Sequence, residues 1–306
     1  MSIRGERAQA TALTAVFLAV LMGMCALVLD VGSWYRADRA TQATADAAAT
    51  AGAQALPYDP SSASPLAIQY ADKNGGGLSP SDITVSTGLT QNDTINVSVH
   101  KPAGGVFSKI FGVSSVSVGS KASARASLMQ AASNLAPIGV NLMHPRLKGT
   151  VGCPCFGTGY PTTLPLGKTG APGAFDLLNI DGSKGGTGGP TIGDWILNGY
   201  DGYLPLGSYL SDPGAKWNDN PIKSALQQRL NTVLLFPVYD TLTGSGANAV
   251  YHVVGWVGFM LTGFTASGSS GTISGYFTKV IWDGIESTKT DGSSPDLGAR
   301  TVTLVN

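Results

Sequence analysis

The chain is poor in charge: only 12% of its 306 residues are Asp, Glu, Lys or Arg, and 19 basic side chains face 19 acidic ones. With no basic field, the sequence excludes an electrostatic nucleic-acid binder, because phosphate recognition rests on clustered Lys and Arg. Histidine is scarce as well. His100, His144 and His252 fall in three separate segments, with neither HxH nor HxxxH spacing, so no histidine metal centre is written into the chain. His100 sits on the strand face opposite Val97 and Val99 and is expected in solvent, whereas His252 lies in an apolar run and reads as a hydrogen-bonded core residue. Cysteine occurs three times. Cys25 lies in an apolar stretch and counts as a small apolar residue. Cys153 and Cys155 form "GCPCFG", which lacks both the CxxC spacing of redox enzymes and the second pair that a zinc site needs. That pair reads as a local or intermolecular disulfide in an exported loop. No GxSxG elbow and no GxxxxGKS/T phosphate loop occurs. The sequence thus offers no catalytic residue, no cofactor site and no metal ligand set.

What it has in excess is glycine, 41 residues, which with the low charge suits a loop-rich, β-rich extracytoplasmic protein. Two glycine-rich stretches imitate ligand sites. "DGSKG", from Asp181, approximates the DxSxS of metal-adhesion sites, but Gly185 replaces the second serine. "GGTGGPTIGDW" imitates a phosphate cradle, but no strand leads into it and Pro190 interrupts the expected helix start. Both read as structural loops. Among them stand Trp195, Tyr200, Tyr203 and Trp217, aromatic residues that suit sugar stacking or a protein interface equally well.

The sequence also holds one long hydrophobic run. From Ala8 to Leu29, between Arg7 and Asp30, no side chain is charged. At about 1.5 Å per residue such a helix covers roughly 30 Å, the thickness of a bilayer core, whereas the apolar part of a cleaved signal is only about 7–15 residues. A membrane span is therefore expected. Arg4 and Arg7 outnumber Glu6 before it, while Arg36 and Arg39 are matched by Asp30 and Asp38, which favours a cytoplasmic N-terminus and an extracytoplasmic remainder. Trp34 and Tyr35 fit the aromatic belt at the membrane surface.

After the run comes "ADRATQATADAAATAGAQAL", residues 37–56. Alanine buries little apolar area yet has the highest helix propensity of all residues. No proline intervenes between Val31 and Ala55, and Pro57 ends the stretch, so span and alanine tract are expected to form one helix of roughly 45 residues. Small side chains let neighbouring backbones come close, which makes Ala45, Ala48, Ala49 and Gly52 a candidate helix-packing surface, for the chain's own strands or for partner helices.

Beyond Pro57, Ser64 is expected to cap a short helix with Pro65 as its first residue, stopping at Asn74-Gly75. "DITVSTG" and "DTINVSVH" read as a hairpin across "LTQND", with Ile95, Val97 and Val99 on its buried face. "VFSKIFG" predicts one or two helical turns. A third strand alternates through Val116, Val118, Ala122, Ala124 and Ala126, and "MQAASNLAP" reads as a connection. Later, Asp219 or Asn220 begins a helix with Pro221 just inside it. "TVLLFPVYD", "AVYHVVGWVGFMLTGF", "GTISGYFTKVIW" and "ARTVTLV" predict a mainly antiparallel sheet or barrel, the second of these as a buried strand pair interrupted by glycines.

The opening through Leu56 resembles the N-terminal module of TadE/TadG-like Flp (Tad) pilus-assembly proteins: a charged start, one span closed by Asp30, then "QxxADAAAxAGA" with Gln42 and Asp46. Longer members have stretches similar to "INVSVHKPAGGVFSKIFGVSSVSVGSKASARA". The resemblance implies a single-pass, pilin-like, non-catalytic protein of bacterial pilus biogenesis, TadG-like rather than processed, since Gly5 is followed five residues on by Ala10 where processed pilins carry Glu. Together these readings give an α+β chain: a transmembrane and alanine-rich helix (1–56), a small pilin-like α+β unit (57–130), and a Gly-rich, mainly antiparallel β domain (131–306). The expected partners are the lipid bilayer of the inner membrane and other pilus-assembly proteins or pilins, with oligomers allowed. The competing reading is a signal-anchored extracytoplasmic carbohydrate-binding protein or hydrolase built on the four aromatics.

Overall fold

A computed structural model describes residues 3–167, 176–182, 186–212, 214, 216–267, 270–288 and 294–305; the side chains of residues 3–8 lie outside the description. The chain is α+β and divides into two compact units, Met1–Arg125 with Thr303–Asn306, and Ala126–Val302.

The first unit begins with α1 (Ile3–Ala53), an uninterrupted helix. Its alanine content and freedom from proline sustain it well past the apolar run. Next comes α2 (Pro60–Lys73), which starts earlier than Ser64: Asp59 is its cap and accepts a hydrogen bond from the Ser62 N–H, with Pro60 in the first turn. Asp59-Pro60 is itself a cap followed by a first-turn proline, and it overrides the same signal at Ser64-Pro65. Pro65 is carried inside the helix. The hairpin consists of β1 (Ile83–Ser86) and β2 (Thr94–Gly104), antiparallel with Ile83 opposite Val97. Ile95, Val97 and Val99 are buried, and α1 and α2 pack beside these strands. A 3-10 turn at Ser108–Phe111 leads into β3 (Ser115–Ala132), antiparallel to β2. The strand β3 does not stop at Leu128; Met129, Ala131 and Ala132 continue it, so the expected connection begins later, at Ser133.

The turn between β1 and β2 is held by one carboxylate. Asp93 is fully buried and accepts hydrogen bonds from the N–H groups of Gly88 (2.7 Å), Leu89 (2.8 Å) and Thr90 (2.6 Å) and from the Thr94 hydroxyl (2.8 Å). Burial pushes its pKa up, but these donors outweigh burial and hold the carboxyl below its ordinary value. A carboxylate depressed on folding stabilises above the unfolded-state pKa of about 3.9, and the contribution is lost as pH falls through the folded-state value. Asp93→Asn is therefore expected to lose about 1–3 kcal/mol at neutral pH, because an amide accepts with one oxygen only and leaves N–H groups unmet. Urea midpoints measured across the acid range check this: the parent weakens below about pH 4, and the variant follows a flatter acid limb.

The second unit contains β4 (Val140–Asn141), β5 (Thr162–Leu166), α3 (Gly189–Asn198), β6 (Leu204–Pro205), β7 (Gly207–Leu210), α4 (Asn220–Gln228), β8 (Val233–Thr243), β9 (Val250–Ser267), β10 (Ser270–Thr278), β11 (Val280–Ile281), β12 (Gly284–Glu286) and β13 (Ala299–Val305), whose last residues belong to the first unit. Its main sheet runs β4-β8-β9-β10-β5, with β7 paired to β9. All these pairings are antiparallel except β4 with β8. The core gathers Phe236, Phe259 and Phe277, with ring centroids 5.4 Å apart in each successive pair, under Ile192, Ile196, Ile222 and Leu226 from α3 and α4.

Two expectations about this unit need correction. Residues 189–198 are a helix and not loop: Pro190 occupies its first turn, where a missing N–H is harmless, and so begins the helix it was expected to interrupt. The run from Val250 is one 18-residue strand and not a strand pair. Its glycines are not turns, and Gly258 marks a close approach: a Cβ there would lie 2.8 Å from the Thr278 carbonyl oxygen.

Candidate functional site: the anchor and the packed alanine tract

Along the span the apolar side chains stand largely bare, and those near its end, Met22 and Leu27, meet only the loop at residues 107–111. Leu13 is 71% exposed, Val16 63%, Met22 72% and Val28 69%, and Leu29 at its end is exposed too. Such a continuous apolar surface is untenable in water and matches what lipid accepts. Cys25 is a free thiol on this surface. Among the described residues α1 is the one helix long and apolar enough to cross a membrane, its most apolar 18-residue stretch having a mean hydropathy of 2.6. The first residue past the run reverses the pattern: Asp30 is buried, although it is charged and follows a lipid-facing turn.

Asp30 accepts hydrogen bonds from the backbone N–H groups of Val106 (2.6 Å), Phe107 (3.1 Å) and Ser108 (2.5 Å), the residues that open the loop between β2 and β3. Three donors on one carboxylate are the arrangement that satisfies the open N-terminus of a helical turn. Gly105 permits it, since a Cβ there would lie 3.0 Å from Asp30 Oδ2 and collide with Ser108 Oγ. The Ser33 hydroxyl donates to the Gly104 carbonyl at 3.3 Å, a second tie between α1 and this loop. No motif pointed to this partner, because the loop lies more than seventy residues away in sequence.

From Thr41 onward one face of α1 is buried at helical spacing: Thr41, Thr44, Ala45, Ala48, Ala49 and Gly52. The opposing face of α2 is alanine too, with Ala63, Ala67 and Ala71 all buried. At Gly52 the approach is closest, for a Cβ would lie 2.5 Å from Ile95 Cδ1, 2.9 Å from the Ala63 carbonyl oxygen and 3.2 Å from Ala67 Cβ. The four small residues singled out in the sequence are all buried, and Gly52 meets α2 and β2 within its own unit. Gln42 donates to Asp46 and to the Lys121 carbonyl.

The remaining polar chemistry is scattered. His252 is half exposed, with Nδ1 2.8 Å from the Asp240 carboxylate, so it is not the core residue its apolar surroundings suggested. The strand β9 alternates, and Tyr251 and Val253 take the inward positions. His144 is half-buried; burial, and then the nearby Arg146 charge, hold its pKa below the ordinary value. It lines an apolar cleft of about 310 Å³ with Leu164, Leu166, Asp176 and Tyr239. Among the described residues no three His, Cys, Asp or Glu side chains come together as a metal site. Cys153 and Cys155 form a disulfide with each other. Asp181 is described, but residues 183–185 of "DGSKG" lie outside the described residues.

The four aromatics do not form one platform. Trp217 is fully buried in the core, Trp195 is 8% exposed with its ring edge-on to Tyr200, and only Tyr203 is exposed, at 52%. A sugar-stacking surface needs accessible ring faces, and this set offers one. No curated protein and no solved structure matches the chain. Residues 8–55, which carry the span, Asp30 and the packed alanine tract, match the Tad family of Flp pilus-assembly TadE/G-like proteins.

Proposed function

We propose that the protein is a membrane-anchored, non-enzymatic accessory component of Tad/Flp-type pilus assembly or of a related bacterial envelope machine. Its anchor lies in the inner membrane, its N-terminus in the cytoplasm and its second unit outside. The observation that carries this reading is the coincidence of the family match with a structural division of labour in α1, exposed and apolar to Leu29 and buried against α2 and β2 from Thr41. Nothing in that arrangement performs bond chemistry; it fixes a folded unit on a membrane. Other pilus-assembly proteins or pilins are the partners that suit it. With Ala10 five residues after Gly5, the chain stays unprocessed and TadG-like.

In-frame deletion in a piliated host tests the reading. The expected result is loss of surface pili, restored by the full chain and not by one lacking residues 8–29. Piliation that survives the deletion overturns it. Carbonate washing of membranes supplies a further expected outcome, retention in the pellet, because a spanning helix is not released by pH or salt. Recovery of a soluble form starting beyond residue 30 contradicts the anchor.

A further inference from the structure

The loop that Asp30 holds carries the strongest unexplained feature of the first unit. Between Gly105 and Val113 it exposes Val106 (68%), Ile110 (78%) and Phe111 (83%), with Val113 also exposed. Isolated apolar side chains on a surface need no explanation, but four in eight residues at the tip of a hairpin do. The position of this tip is fixed rather than arbitrary. Its backbone is bonded to the residue that ends the span, and Ile110, Phe111, Phe107 and Met22 line one apolar groove of about 500 Å³. Met22 precedes Asp30 by eight residues, which is about 12 Å along the helix and places it well inside the span.

We propose that residues 106–113 form a second membrane contact, a loop that inserts Val106, Ile110 and Phe111 into the acyl-chain and headgroup boundary beside α1. Lipid is the occupant because the groove is continuous with the surface of the span, so whatever bathes Met22 bathes Phe111 as well. Lys109 stands exposed in the same turn, where its ammonium reaches anionic headgroups while its stem stays among apolar side chains. Asp30 acts as the clamp: its carboxylate satisfies the three N–H groups that a turn pushed towards lipid could not leave unbonded. The consequence is mechanical. One helix leaves a folded unit free to swivel about its axis, whereas a helix and an inserted loop set its tilt and rotation.

This inference rests on the anchor reading, and the test separates the two. The full chain is reconstituted in vesicles of phosphatidylcholine and phosphatidylglycerol, with an environment-sensitive fluorophore on one free cysteine. The labelled positions are native Cys25 in the parent, and Phe111→Cys and Gln91→Cys in a Cys25→Ser background. Gln91 is exposed in the turn at the other end of β2. Lipids brominated along the acyl chain then serve as quencher. Expected are blue-shifted, quenched emission at positions 25 and 111 and unquenched emission at 91. Loss of quenching at 25 overturns the anchor and the inference with it; loss at 111 alone overturns the inference and leaves the anchor. Blue-shifted but unquenched emission at 111 also overturns it, since the tip is then covered by protein, a second copy or a partner's span. Equal quenching at 91 and 111 overturns selective insertion. Asp30→Ala is expected to weaken quenching at 111 and to leave Cys25 as in the parent. Should that variant fail to accumulate, Gly105→Val breaks the same clamp, and unchanged quenching at 111 overturns the role given to Asp30.

Discussion

Leucine in place of Gly52 is expected to destabilise the packing of α1 against α2 and β2 by about 3 kcal/mol, the upper end of what overpacking a tight contact does. Two opposing effects set that figure. Removing a glycine from a helix interior favours folding by roughly 1 kcal/mol. Against it stands a Cβ that the site cannot hold, 2.9 Å from the Ala63 carbonyl oxygen and 3.2 Å from Ala67 Cβ. The third neighbour, Ile95 Cδ1 at 2.5 Å, is the end of a flexible side chain and can turn aside, but backbone cannot. The remaining leucine atoms then force the two helices apart. Amide hydrogen exchange reads the result locally: a loss of about 3 kcal/mol speeds exchange in α2 and β2 by roughly a hundredfold. Ala43, exposed on the opposite face, serves as control, and Ala43→Leu is expected to stay within about 0.5 kcal/mol of the parent. Gly52→Leu exchanging like the parent would falsify the packing role of the tract.

The same glycine shows what was legible in the sequence. That α1 runs on from the apolar stretch follows from propensity and from the absence of proline, which are local quantities. So does the hairpin of β1 and β2, whose Ile95, Val97 and Val99 alternate with polar residues. The partner of the alanine face is not local. Alanine at helical spacing announces close approach, but α2 supplies its own Ala63, Ala67 and Ala71 at a distance in the chain, and no periodicity says which small faces meet. Asp30 is the sharper case. In sequence it only closes the span, and its role as the cap of a loop at Val106–Ser108 depends on how β2 returns to α1. Where local reading went astray, two local signals competed: Asp59-Pro60 against Ser64-Pro65 for the start of α2, and the glycines around Pro190 against the good helix-forming pattern of Ile192, Trp195 and Ile196. In β9 glycine was read as a break, while the fold uses it to bring strands together. The aromatics of the second unit misled for a related reason, since composition alone cannot say whether a tryptophan in a glycine-rich segment faces water or the core.

Trp217 decides that last question by experiment. Its side chain is fully buried among Ile192, Ile222, Leu226 and Phe236, in the middle of the core that α3 and α4 close over the sheet. Trp217→Ala is therefore expected to remove about 3–5 kcal/mol, as truncations of large buried aromatics do, through lost contacts and the cavity left behind. Exchange in α3, α4 and β8 should quicken by two to three orders of magnitude, roughly, and the thermal midpoint should fall by about 10 °C. Tyr203 supplies the contrast. It is half exposed, and its hydroxyl donates to the Asp283 carboxylate at 3.1 Å, so Tyr203→Ala is expected to change stability by less than about 1 kcal/mol. A carbohydrate-binding site built on these residues predicts the reverse order: both variants would stay folded, and both would lose retention on a polysaccharide column that holds the parent. If Trp217→Ala keeps the parent's exchange pattern and loses such retention, the ring is a ligand contact and the second unit is a binding module. If exchange quickens in the core while Tyr203→Ala remains like the parent in every respect, the tryptophan is structure, and the surface for partners has to be sought elsewhere on that unit.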